Sequence, residues 1–156
     1  MRMNTVYYYE DFSPGQSFRS GACRMDKDQM TAFAAEFDPQ PQHISERDAE
    51  HSQFGTLVAS GWHTAAVSMR LFIAEALPPI AGGGQGLGIE ALSWPHPVRP
   101  GDELRVVTEV TATRPSRSRP DKGLVTVRNT TTNQHDQVVQ TLSTTIIVPR
   151  KEKQSA

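Results

Sequence analysis

The chain has 156 residues, and its 16 basic and 17 acidic side chains leave a formal net charge of −1. This length fits one domain spanning residues 1–156, and the charge balance excludes a global pull toward nucleic acid or an anionic membrane. A single cysteine, Cys23, excludes an intrachain disulfide framework and points to a reducing compartment.

Met1 to Glu10 has no cationic start followed by an apolar run, so no signal peptide is expected. The longest apolar stretch, Ala65 to Leu77, is interrupted by Arg70 and Glu75 and is too short to span a bilayer. A soluble, cytoplasmic protein is expected.

In chain order, Val6 to Tyr9 and Ser17 to Cys23 are predicted strands around a Ser13-Pro14-Gly15 turn. Asp26 to Phe37 is a predicted helix. Asp26 is its N-cap, and Met30, Phe33, Ala34 and Phe37 recur at helical spacing. Ser45 to Ser52 is a predicted short helix, with Ser45 as N-cap and Asp48 close to a capping box. Ser60 to Leu77 is the main helix. Ser60 caps it, Pro78-Pro79 stop it, and its apolar residues lie nearly all round, as in a buried helix.

The second half reads as strands: Gly86 to Trp94, Glu103 to Thr113, Leu124 to Thr131 and Val138 to Val148, rich in Val, Ile and Thr. Turn chemistry separates them at Arg99-Pro100-Gly101-Asp102, Arg114 to Lys122 and Asn133 to Asp136. The polar tail from Arg150 to Ala156 is expected to fray. One long buried helix followed by a run of strands predicts an α+β domain, an antiparallel sheet wrapped around a central helix.

The segment Phe37-Asp38-Pro39-Gln40-Pro41-Gln42-His43 is chemically the most informative. It sets a carboxylate and an imidazole five residues apart, with two prolines between them. Proline fixes φ and pushes the preceding residue toward extended backbone. Asp38 should therefore close a helix, and His43 should stand just before the next. Such a stiff turn can aim both side chains at one water or substrate proton, the minimum for general acid–base catalysis. Against this stands a plainer reading: Asp before Pro is a common turn residue, and a single His is often simply packed.

These residues, with Ala49, Phe54-Gly55 and Ala59-Ser60-Gly61, resemble the MaoC-like hydratases, relatives of the (R)-specific enoyl-CoA hydratases built on one hot-dog domain. In that pattern Asp is followed by any residue, Asn, Pro, an aliphatic residue and His; Asp38, Pro41, His43 and Ala49 fall in register. Ser93-Trp94-Pro95-His96-Pro97-Val98-Arg99-Pro100-Gly101-Asp102 is similar to the family's strand pair and turn. The likeness runs from about Tyr9 to Val148. This chain departs from the pattern at Gln40 and Gln42, where the family usually has Asn and an aliphatic residue, and at Ser60, where many members have His before the glycine.

The resemblance implies a hot-dog fold and reversible syn hydration of a trans-2-enoyl-CoA, or a related acyl-carrier thioester, to an (R)-3-hydroxyacyl thioester. It implies Asp38 and His43 as the catalytic pair and no cofactor. It also implies a homodimer, or a multiple of one, fitting a sheet whose edges need cover.

Gly61 follows the Ser60 cap. Its N–H is one of the unpaired donors of a helix start, where the dipole favours developing negative charge. An oxyanion donor at Gly61 is thus physically sensible and is what the resemblance implies. The competing reading is that Gly61 permits close packing.

His51, His63, His96 and His135 show no metal-ligand spacing, and no metal is expected. Gly82-Gly83-Gly84-Gln85-Gly86 fits a turn before a strand better than a phosphate loop. Arg114, Arg117 and Arg119 could grip coenzyme A phosphates but read better as a solvated hairpin loop. The alternatives to a hydratase are a hot-dog thioesterase, disfavoured by the Asp–His spacing, and a non-catalytic acyl-binding or partner subunit, disfavoured by retention of both residues.

Overall fold

The computed structural model describes residues 5–152. Four long strands carry one antiparallel sheet: β3 (Gln85–Ser93), β4 (Glu103–Pro115), β5 (Lys122–Thr132) and β6 (Val138–Pro149). The short β1 (Ser17–Arg19) and β2 (Cys23–Arg24) both pair with β4, and the sheet runs β1-β4-β5-β6-β3. Leu104, Val106, Thr108 and Val110 are buried on one face of β4, whereas Arg105 and Glu109 are exposed on the other. Val106 stands opposite Thr131, Thr108 opposite Asn129 and Val110 opposite Val127. A one-residue slip would carry Arg105 and Glu109 into the core, so burial fixes the register. Thr108 Oγ1 donates to Asn129 Oδ1 at 2.7 Å, giving each of these buried polar groups a partner.

The central helix α4 (Gly61–Leu71) packs against β4 and continues into a wider π turn, Phe72–Ala76, closed by Leu77 N donating to Phe72 O at 2.8 Å. Leu77 is extended and Pro78-Pro79 follow, which ends the helix where expected. Leu71 and Leu104 are fully buried, each side chain contributing about 1.5–3 kcal/mol of transfer free energy. The helix is not buried all round. Trp62, Met69 and Ile73 are exposed, because one sheet covers only one side of one helix.

Val6 to Tyr9 forms no strand. Tyr7 makes only an isolated parallel bridge to Ile80, and Tyr9–Asp11 is a 3₁₀ turn. The Tyr7 N–H goes to Pro79 O at 2.7 Å, and its carbonyl accepts from Ala81 N at 3.0 Å, so the loop after the helix takes what a neighbouring strand would have used. The predicted strand Ser17 to Cys23 is split. Ser20 Oγ accepts from Val106 N at 2.8 Å, and the side chain takes the place of a ladder carbonyl.

Fraying does not begin at Arg150. Arg150 Nε donates to Glu10 Oε1 at 2.9 Å, and Lys151 Nζ meets Asp11 Oδ1 at 2.5 Å. The rest of the predicted tail, from residue 153, lies outside the described residues, as do residues 1–4 of the N-terminal segment. No helix among the described residues is long and apolar enough to cross a membrane.

Candidate active site

Helix α1 (Lys27–Phe37) starts where Asp26 accepts from Gln29 N at 2.9 Å. It ends at Asp38, whose N–H donates to Ala34 O at 2.9 Å and whose φ of −151° leaves helical space. Asp38 thus closes α1, as expected. His43 stands just before the next predicted helix, as expected, but itself lies within an additional helical turn, α2 (Pro41–Ile44). Pro41 opens that turn, a position where its missing N–H costs nothing and its φ is already correct. The predicted helix Ser45 to Ser52 is shorter, α3 (Glu46–Ala49). Ser45 caps it, and Ser52 Oγ donates to Ala49 O at 2.7 Å at its far end.

Val58 fixes the imidazole. Its N–H donates to Gln42 O at 3.1 Å, and its carbonyl lies 2.8 Å from His43 Nδ1. A carbonyl can only accept, so Nδ1 carries the hydrogen and Nε2 is the atom left for chemistry. His43 Nε2 stands 3.5 Å from Asp38 Oδ2, and the imidazole is buried.

Asp38 is held from three sides. Ser60 Oγ donates to Oδ2 at 2.6 Å and Gln40 Nε2 donates to Oδ1 at 2.8 Å; the third side is His43. Burial pushes this carboxyl up, but the Ser60 and Gln40 hydrogen bonds and the charge available at His43 outweigh it and hold it below its ordinary range. Ser60 also caps α4, its Oγ accepting from Trp62 N at 3.2 Å. One hydroxyl therefore ties the helix N-terminus to the carboxylate. The cap is visible in the sequence, but the bond to Asp38 is not, because a contact across 22 residues leaves no local pattern.

Asp38, His43 and Gly61 line one cavity of about 530 Å³. Phe54, Val58, Val98 and Val139 give it apolar walls, Thr64 also lines it, and Trp62, Trp94 and His96 border it as well. The Gly61 N–H has no partner among the described residues. The glycine also meets the packing requirement: a Cβ at Gly61 would lie 2.7 Å from the Trp94 ring. Trp94 lines the same candidate cavity, a placement that the sequence does not mark. It is positioned by its own Nε1, which donates to the buried Gln140 Oε1 at 2.9 Å.

The other candidates lie elsewhere. His63 is buried and stacks on Phe33 at 4.8 Å; burial, with Arg70's charge adding to it, pushes its imidazole below its ordinary value. Arg117 and Arg119 sit in the exposed turn after β4, Arg114 near the end of β4 itself, and none of the three lines the cavity. No group of three or more His, Cys, Asp or Glu among the described residues is placed to hold a metal.

With this geometry the chain belongs to the MaoC-like family: the model of the MaoC like domain matches residues 11–134. It is similar to the crystal structure of a MaoC-like dehydratase from Rhodospirillum rubrum, at 49% identity and a TM-score of 0.89, covering 94% of this chain and 99% of that one. It is 34% identical over 129 residues to an uncharacterised protein, YdeM, of Bacillus subtilis, covering 81% of this chain and 88% of YdeM. It is 28% identical over 147 residues to an (R)-specific enoyl-CoA hydratase from Rhodospirillum rubrum, covering 94% of each. The antiparallel sheet with its central helix is the hot-dog fold.

Proposed function

We propose that this protein hydrates a trans-2-enoyl thioester, or dehydrates the 3-hydroxyacyl thioester, at the Asp38–His43 pair. The observation that carries the reading is the 3.5 Å separation of Asp38 Oδ2 from His43 Nε2 in a cavity also bordered by Gly61. Both atoms are acceptors when Asp38 is ionised and His43 is neutral, so one water can donate a proton to each. The water oxygen bonds to C3 and loses a proton to the pair. The C2=C3 electrons move toward the thioester, and C2 then takes a proton, so the elements of water add across one double bond. Negative charge on the thioester oxygen meets the Gly61 N–H and the positive end of α4. No cofactor enters this scheme. The (R) hand of the product and coenzyme A as carrier rest on likeness to the (R)-specific enoyl-CoA hydratase.

A short trans-2-enoyl-CoA should lose its conjugated absorbance while its thioester survives, giving the (R)-3-hydroxyacyl-CoA on a chiral column. Thiol release matching substrate loss would identify a thioesterase instead. Inactivity of the folded protein on a panel of acyl-CoA and acyl-carrier substrates would favour a non-catalytic subunit.

We also propose a homodimer, or a multiple of one. β3 is an edge strand paired only with β6 among the described residues, and Leu87 and Ile89 on it are exposed. Trp62 and Met69 of α4 are exposed too. An apolar strand edge is a surface that proteins cover. Light scattering at micromolar concentration is expected to give at least twice the 17.2 kDa chain mass; a monomeric mass would refute this.

A further inference from the structure

We propose that Gln42 is a positioning residue of the dyad, acting through Gln40 to keep the Asp38 carboxylate oriented; the inference rests on the hydratase reading of that site. Gln42 Nε2 donates to Gln40 Oε1 at 3.1 Å, and Gln40 Nε2 donates to Asp38 Oδ1 at 2.8 Å.

The direction of this relay follows from chemistry. An ionised carboxylate only accepts, so Gln40 must turn its NH₂ toward Asp38. That leaves its carbonyl facing Gln42, which must answer with its own NH₂. Asp38 thereby sets the flip of the Gln40 amide, and Gln42 adds a second hydrogen bond that holds this solvent-exposed amide in place against Asp38. Ser60 holds the other oxygen at 2.6 Å, so both oxygens of the carboxylate are fixed. The Gln42 backbone is itself anchored, its carbonyl accepting from Val58 N at 3.1 Å. Val58 thus supports both His43 and the far end of the relay. An aliphatic residue at position 42, as in the family pattern, could not donate to Gln40. The titratable groups near Asp38 are few: His43 stands 3.5 Å away and His96 borders the same cavity, while His63 on α4 is stacked on Phe33.

The test follows the Asp38 carboxyl by ¹³C titration, together with the pH dependence of kcat/KM on a short trans-2-enoyl-CoA. In Gln42→Leu the carboxyl titration and the acidic limb should both move to higher pH. kcat should fall about three- to tenfold with KM unchanged, the scale of one weakened hydrogen bond to a charged group. Gln42→Glu should move both further, because a carboxylate cannot donate to Oε1 and adds like charge. In a Gln40→Leu background, Gln42→Leu should have no further effect, since the link it acts through is gone. An unmoved titration in Gln42→Leu, or additive effects in the double variant, would overturn the proposal. Were the parent to convert no enoyl thioester, the hydratase reading would fall, and the carboxyl titration would still decide the relay.

Discussion

Asp38→Asn and His43→Gln are each expected to lower turnover on a short trans-2-enoyl-CoA by a factor on the order of a hundred to ten thousand. Asparagine keeps the shape of aspartate but removes the charge that accepts a proton. Its amide oxygen can still take the Ser60 hydroxyl, which now donates to Asp38 at 2.6 Å, so the α4 cap should survive. Glutamine at 43 can still donate to Val58 O, the carbonyl now 2.8 Å from Nδ1, but it has no basic nitrogen to face Asp38. Folding should therefore persist in both variants, with far-UV circular dichroism close to that of the parent. The double variant should be little worse than the poorer single, because two groups that share one proton transfer do not contribute independently. Steady-state kinetics on purified protein checks this. Turnover near the parent's in either single variant would end the hydratase reading.

Those residues were legible because a proline-bounded turn is a local feature. So were the Asp26 and Ser60 caps, the Pro78-Pro79 stop and the four long strands, whose alternation is local too. What escaped sequence reading was long-range. Ser60 reaches back 22 residues to Asp38, and His43 is tied to Val58 across 15. Tyr7 carries the composition of a strand residue, yet its backbone partners lie in the loop at Pro79 and Ala81, and no periodicity reveals that. The even spread of apolar residues around α4 had two possible causes, a core on every side or a core on one side and an exposed apolar face on the other. Hydropathy cannot separate them, and Trp62 and Met69 show that the second holds for the single chain. Gln42 reads in the sequence as a mere departure from a family pattern. Its partner Gln40 is only two residues away, but nothing in the residue types says which way the amides turn.

Gly61→Val should lose activity far more than Gly55→Ala, and the reason lies in what each glycine faces. Gly55 has φ of +66°, but nothing lies within 4 Å of a Cβ placed there. Alanine at 55 therefore suffers only backbone strain, about 1–2 kcal/mol. At Gly61 the nearest atoms to a Cβ are three Trp94 ring carbons at 2.7–2.9 Å. That ring cannot slide freely, because its Nε1 is held by Gln140 Oε1 at 2.9 Å. Valine must displace the indole, the helix start or both, and the helix start carries the proposed oxyanion donor. Loss of one such donor costs on the order of a hundred- to a thousandfold, and Gly61→Val should lose at least that much. The packing and donor roles of the glycine can be separated. Gly61→Ala keeps the N–H and adds only the Cβ, so Trp94→Ala should restore it to nearly the activity of Trp94→Ala alone. Any cost of leaving Gln140 without its indole partner is common to both proteins and cancels in that comparison. A double variant that stays far below Trp94→Ala would mean the side chain meets the substrate directly. Equal losses in Gly61→Val and Gly55→Ala would instead remove Gly61 from the site and leave it as the residue that lets Trp94 pack.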